Sequence, residues 1–126
     1  MRVAFKHAAE HHIPVETLEK AGLVIAKEGG RYYDRYRGRA IFPIFSHVGK
    51  VLGFGGRILE KDPNQPKYIN SPETKVYHKS RVLYGLYQGK QAIRGAEEAI
   101  LVEGYTDVIS LHQADVKNVV ASSGTA

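Results

Sequence analysis

The apolar positions of this 126-residue chain fall into two regimes. Up to about residue 94 they come in short runs broken by Gly, Pro and charge, the mark of brief strands joined by turns. Residues 4–12 carry helix formers, Pro14 suits a first helical turn and Gly22 a position just past a helix end, so the first 21 residues read as two helical pieces. Leu23-Val24-Ile25-Ala26 reads as a strand that turns at Gly29-Gly30 into Arg31-Tyr32-Tyr33-Asp34. Residues 40–45 and 51–59 form a second pair around Ser46-His47-Val48-Gly49, and Pro43 predicts an edge strand or a bulge there. A polar loop over residues 60–66 leads to short extended pieces at Tyr68-Ile69 and Val76-Tyr77. Residues 86–93 read as a helix that Arg94-Gly95 breaks. From Ala99 onward the pattern changes to strand, helix, strand over residues 99–102, 106–114 and 118–121.

The change near residue 95 is the candidate domain boundary, giving an upstream part of 1–94 and a downstream part of 95–126. The predicted class is α+β: a mixed antiparallel-sheet and helix subdomain, then a parallel, right-handed βαβ unit. The sequence ends directly after a strand, at Ser122-Ser123-Gly124-Thr125-Ala126, where a further helix is expected to cover the sheet. On this reading the βαβ unit is half a sheet and the chain an excised fragment.

Chemistry concentrates at the start of that unit. Ala99-Ile100-Leu101-Val102 reads as a short buried strand, which puts Glu103 at its C-terminal end, where open α/β sheets place active-site groups. Gly104 is expected to let the backbone turn sharply, and Val108, Ile109 and Leu111 to form the apolar face of the next helix. If that helix begins at once, Glu103 and Asp107 stand about one turn apart on one side. Two converging carboxylates suit Mg²⁺ binding or proton transfer.

Charge adds a second feature. Residues 1–94 hold 17 of the 18 Lys and Arg but 8 of the 13 acids, a net +9; residues 95–126 hold one Lys and five acids, a net −4. A basic body with an acidic end suits a protein that holds phosphates with one part and a divalent metal with the other; the bland alternative is a solvated basic surface. The absence of cysteine excludes disulfides and Cys-ligated zinc or iron–sulfur sites within this segment. No apolar run approaches the roughly 20 residues that span a membrane, so no membrane partner is expected, and an intracellular location fits.

Three motifs fail on inspection. His7, Glu10 and His11 spell H-x-x-E-H, but no third zinc ligand or supporting fold follows, so they read as a polar helix face. Gly53-Phe54-Gly55-Gly56 starts a dinucleotide fingerprint whose last glycine falls on Ile58; these glycines are expected to let a strand bend or approach another backbone closely. Gly85-Leu86-Tyr87-Gln88-Gly89-Lys90 is one residue short of a Walker A loop and has Gln91 in place of Ser or Thr.

The segment Lys67-Tyr68-Ile69-Asn70-Ser71-Pro72-Glu73-Thr74 offers a cation, an aromatic face, an amide and a hydroxyl; Lys79 and Arg81 follow, and Arg57 ends the preceding strand. Phosphates call for Lys or Arg, and single-stranded bases for an aromatic to stack on, so nucleic-acid or nucleotide binding stands beside a solvated basic loop as the reading here.

Taken together, the chain from about Leu23 resembles the catalytic core of bacterial replicative DNA primases. The resemblance is carried by Tyr33-Asp34-Arg35-Tyr36-Arg37, Ile41-Phe42-Pro43-Ile44, Gly53-Phe54-Gly55-Gly56-Arg57, the 67–74 segment, His78-Lys79, Leu83-Tyr84-Gly85-Leu86-Tyr87 and Val102-Glu103-Gly104-Tyr105-Thr106-Asp107-Val108. It implies a primase core N-terminal subdomain followed by the start of a Toprim domain, the metal-binding α/β fold shared with topoisomerases. The implied activity is nucleotidyl transfer, joining ribonucleoside triphosphates into short RNA primers on a single-stranded DNA template with release of pyrophosphate. By the same resemblance Glu103 matches the Toprim glutamate of the metal or acid–base site, and Asp107 the acid that follows. Lys67, Tyr68, Asn70 and Lys79 match residues of a basic groove, which Arg57 and Arg81 join, and Gly124 and Thr125 match a loop near the metals. The implied cofactor is Mg²⁺ or Mn²⁺. The Toprim Asp-x-Asp ligands, a zinc-binding domain and the domain that engages the replicative helicase all lie outside this sequence, so the fragment is expected to be inactive alone. The implied location is the bacterial cytoplasm, at the replisome. Two alternatives are a binding module for nucleic acid or nucleotides only, and another Toprim enzyme such as a topoisomerase, nuclease or primase-helicase.

Overall fold

A computed structural model of the chain describes residues 3–122. Its contacts divide into two compact units, one made of Met1–Ile41 and Gly53–Thr74, the other of Phe42–Leu52 and Lys75–Ala126. The architecture is α+β, as the hydrophobic pattern predicts.

In the first unit, α1 (Val3–Glu10) and α2 (Val15–Lys20) are separated by Pro14, which caps α2 in an extended conformation. Phe5 and Ala8 on α1, and Val15 and Leu18 on α2, recur at helical spacing and pack with Leu23, Val24 and Tyr32. Strands β1 (Val24–Lys27) and β2 (Arg31–Asp34) pair antiparallel, Val24 opposite Asp34 and Lys27 opposite Arg31, across the turn that the double glycine predicts. Gly22, at φ +76, lies against Pro72: a Cβ there would stand 2.6 Å from the proline Cδ. A side chain at this position would therefore meet both a strained backbone and a clash.

Strands β3 (Arg39–Phe45), β4 (Val51–Ile58) and β5 (Tyr68–Asn70) follow in the order β3-β4-β5, so Pro43 lies on an edge strand, where its missing N–H costs least. In the second unit, β6 (Leu83–Tyr84), α3 (Leu86–Ala96), β7 (Ile100–Val102), α4 (Tyr105–Gln113) and β8 (Val119–Ser122) form a sheet of order β6-β8-β7 with its helices. The pair β7–β8 is parallel and β6–β8 antiparallel. Two apolar clusters hold this unit: Ile44, Tyr77 and Tyr105, and Val108, Val119 and Ala121. Among the described residues no helix is long and apolar enough to cross a membrane.

Three expectations are corrected. Arg94-Gly95 does not break α3, which runs on to Ala96 and ends where Glu97 turns left-handed at φ 55. Gly95 costs only its propensity, about 1 kcal/mol, which a packed helix tolerates. Strand β7 is not buried: Leu101 is 67% exposed because β7 is an edge, and the buried central strand is β8. Val76-Tyr77 is no strand; residues 75–76 bend, and the Tyr77 ring drops fully out of solvent beside Ile44 and Tyr105.

Candidate functional site

The corner after β7 is built from behind. Glu103 and Gly104 follow the strand directly, and α4 begins at Tyr105, whose ring stacks on Phe42 at 5.2 Å between centroids and meets Tyr84 edge-on at 4.6 Å. One turn later Val108, 2% exposed, packs on Val119 and Ala121. With Tyr105, Val108 and Leu111 directed at the core at helical spacing, Asp107 and Ser110 face outward. Glu103, Asp107 and Ser110 accordingly line one shallow depression with Val102 and Leu111. Both carboxylates are exposed, and among the described residues neither makes a hydrogen bond or ion pair. Asp107 also sits in the first turn of α4, where the helix dipole favours a negative charge. Burial lifts the Tyr84 phenol above its ordinary 10.0, so the ring beneath the corner stays neutral.

One detail differs from expectation. Gly104 has φ −134 and ψ 162, extended backbone that any residue adopts, so the turn does not depend on glycine conformation. The Asp107 carboxylate instead reaches back over it, Oδ2 lying 3.5 Å from where a Cβ would stand.

The donor chemistry of the corner suits a hard divalent ion, because carboxylate oxygens are its preferred ligands. The set is partial: among the described residues no group of three or more His, Cys, Asp or Glu could hold a metal ion. At the other end of the chain His7 and His11 stack at 4.1 Å, and His11 Nδ1 donates to the His7 carbonyl at 2.9 Å.

The basic candidates divide between the units. In the first, Arg57 on β4 stands opposite Tyr68 on β5, its guanidinium 5.9 Å from the ring centroid. Tyr68 is 39% exposed and Lys67 beside it is exposed. Asn70, two residues on, shares the face of Tyr68 and is half-buried. Ser71 is fully buried: its Oγ accepts from Phe54 N at 2.9 Å and bonds the Tyr36 hydroxyl at 2.9 Å, so this hydroxyl is committed inward. Gly56 makes room for side chains rather than for another backbone, since a Cβ there would stand 2.9 Å from the Tyr36 ring and 3.2 Å from Arg39 Cδ. Lys79 and Arg81 lie in the second unit, exposed on the turn Lys79–Arg81 before β6. Gly124 and Thr125 lie outside the described residues.

Four residues with a part in these places are given no role by the sequence reading. Ser110 was findable, being three residues after Asp107 and so on its face. Arg35, Tyr36 and Arg39 lie in and just after a run of aromatic and basic residues, but nothing local shows that their partners are carbonyl and hydroxyl groups some 30 residues later.

Residues 1–90 match the family of the DNA primase catalytic core, N-terminal domain, and residues 97–126 match the Toprim domain. A DNA primase of Synechocystis sp. is 51% identical over 114 residues, covering 90% of this chain and 18% of the relative. The chain spans between 17% and 21% of the length of such curated relatives. Among solved structures, the RNA polymerase domain of Mycobacterium tuberculosis primase DnaG is similar with a TM-score of 0.89 and 40% identity, covering 99% of this chain and 40% of that one. A DnaG primase catalytic domain solved bound to single-stranded DNA has a TM-score of 0.79 and 47% identity, covering 88% and 35%. With most of its length matched by one domain family, this chain belongs to the DNA primase catalytic core, N-terminal domain family, and its strand–helix–strand end is similar to a Toprim domain.

Proposed function

We propose that this chain is the part of a DNA primase that holds template and nucleotides and contributes the first carboxylates of its metal site. In this reading residues 1–94 are the N-terminal subdomain of the core and residues 95–126 open the Toprim domain. The observation that carries it is the pair Glu103 and Asp107 lining one depression at the C-terminal end of the parallel pair β7–β8. In the first unit Arg57, Lys67, Tyr68 and Asn70, and in the second, separately, Lys79 and Arg81, are the residues that contact nucleotide phosphates or single-stranded DNA. The whole enzyme then joins ribonucleoside triphosphates into an RNA primer. It does so in the bacterial cytoplasm, meeting the replicative helicase through a domain outside this chain.

Glu103 and Asp107 would hold Mg²⁺ or Mn²⁺. Such an ion, when bound, supplies charge neutralisation on phosphate oxygens and a lowered pKa for the attacking hydroxyl. The chain's own contribution is to keep two oxygen donors at the strand end, anchored by Tyr105 and Val108 behind them. The alternative role for Glu103 is general acid–base chemistry, taking or returning a proton.

Two carboxylates without the Asp-x-Asp pair make an incomplete site, so the chain alone is expected to bind Mg²⁺ weakly and to synthesise no primer. Template-dependent primer synthesis by the purified chain, or a micromolar Mg²⁺ affinity by calorimetry, overturns this reading. For the isolated chain a second reading is supported by exposed Tyr68 beside Arg57 and Lys67: a module that binds single strands or nucleotides only. Its binding should weaken steeply with salt as counterions are released, and a flat salt dependence counts against it.

A further inference from the structure

The turn after β2 aims its polar side chains back at the segment that ends in β5. Arg35 Nη2 donates to the Asn70 carbonyl at 2.8 Å. Arg39 uses both arms of its guanidinium: Nη2 donates to the Pro66 carbonyl at 2.8 Å, and Nη1 to the Lys67 carbonyl at 3.2 Å and the Gly56 carbonyl at 3.4 Å. Tyr36 lies between them and bonds the buried Ser71 hydroxyl. Backbone carbonyls on both sides of Tyr68 are therefore held from one short stretch of chain, while the Lys67 and Tyr68 side chains stay exposed.

Strand β5 is three residues long and has β4 as its neighbour in the sheet; one backbone bond continues the pairing at each end, Ile58 N–H to the Lys67 carbonyl at 2.9 Å and Ser71 N–H to the Phe54 carbonyl at 2.8 Å. The polar loop before it supplies no apolar anchor of its own: Leu59 is 67% exposed, and residues 60–66 are all exposed. A ladder this short does not by itself hold a side chain to the tolerance that stacking on a base requires. Forked bonds from a charged donor to two successive carbonyls do, because the planar guanidinium fixes direction as well as distance.

We propose that Arg35 and Arg39 are positioning residues: they clamp the Pro66–Asn70 backbone so that Lys67 and Tyr68 are presented to single-stranded nucleic acid, and they do not themselves take phosphate. This rests on the reading of Lys67 and Tyr68 as nucleic-acid contacts. It also removes two of the chain's cations from its binding surface, although composition alone assigns every arginine equally to that surface.

The test uses the purified chain and a fluorescein-labelled single-stranded oligodeoxynucleotide, with anisotropy measured over a salt series. Arg39→Lys keeps the charge and loses the fork. It is expected to weaken binding about ten-fold, as far as Arg39→Ala does, with the slope of log K against log salt unchanged. A phosphate contact predicts the opposite: binding retained in Arg39→Lys, and a slope shallower by about one in Arg39→Ala. Amide hydrogen exchange supplies a readout that needs no nucleic acid: the Ile69 and Ser71 amides should exchange at least about ten-fold faster in Arg39→Lys, with α3 and α4 unaffected. Unchanged exchange there overturns the clamp. If Lys67→Ala weakens binding and Arg39→Lys does not, the clamp fails and the binding reading stands. If the unaltered chain binds no single strand, the binding reading fails and exchange alone decides the clamp.

Discussion

Behind the two carboxylates of the Glu103 corner stand aromatic and aliphatic groups; beneath Lys67 and Tyr68 stands a lattice of hydrogen bonds. The corner is fixed by Tyr105 between Phe42 and Tyr84 and by Val108 on Val119, none of which competes for the ligands that Glu103 and Asp107 would take. The β5 segment is fixed by Arg35, Arg39, Tyr36 and Ser71, residues of the kinds that bind nucleic acid. Apolar anchoring leaves the polar groups in front uncommitted. Polar anchoring consumes them, so a net charge of +9 overstates the surface that phosphates can reach.

The comparison can be broken from either side. Tyr105→Ala should cost the most, about 3–5 kcal/mol in a denaturant melt, because it empties the ring site that holds the corner. A loss near zero would mean that the corner is held otherwise. Next, in a primase chain extended through the rest of the Toprim domain, Glu103→Gln should lower primer synthesis at least about a hundred-fold, with stability changed by no more than about 0.5 kcal/mol. A large stability loss there would show the carboxylate to be structural after all. Ser71→Ala should destabilise the chain by about 1–3 kcal/mol, since the Phe54 amide and Tyr36 hydroxyl lose a buried partner. Lys67→Ala, by contrast, should leave the melt unchanged and make the salt slope of oligonucleotide binding shallower by about one.

The smallest effect is one of pH. Folded Tyr84 keeps its proton above pH 10.0, where the unfolded chain begins to lose it. Its contribution to stability is therefore fully present below about pH 10 and declines as pH rises through the raised value. Tyr84→Phe should flatten that alkaline decline, which thermal melts between pH 9 and 11 can follow.

Much of the fold was legible because its signals are local. Gly29-Gly30 marked the β1–β2 hairpin, Pro43 the edge, and the 3.6-residue spacing the face of α4. The placement of Glu103 at a strand end came from the same kind of signal, and so did its register with Asp107. What stayed hidden depends on residues far along the chain. Ile100 and Leu101 look like a buried run, but their exposure follows from β8 taking the middle of the sheet. Leu83 and Tyr84 are too short a pair to declare a strand without Ser122 and Ala121 opposite. Arg94-Gly95 reads as a stop on propensity alone, yet a helix held by packing runs past it. The inward roles of Ser71 and Arg39 were hidden for the same reason, since a hydroxyl or a guanidinium looks the same from sequence whether it faces water or a carbonyl.

The central place of β8 has a consequence for how the protein is made. Synthesis runs from the N-terminus, and domains generally fold as units while the chain emerges. The first helices and the β1–β2 hairpin can close soon after leaving the ribosome, because their partners lie within a few dozen residues. Strands β6 and β7 cannot, because each is hydrogen-bonded to β8, the last of the described strands to be made. Until residues 119–122 arrive, the nascent second unit carries two strand edges without their β8 partner. A ribosome that pauses shortly before this point holds the chain in its most aggregation-prone state.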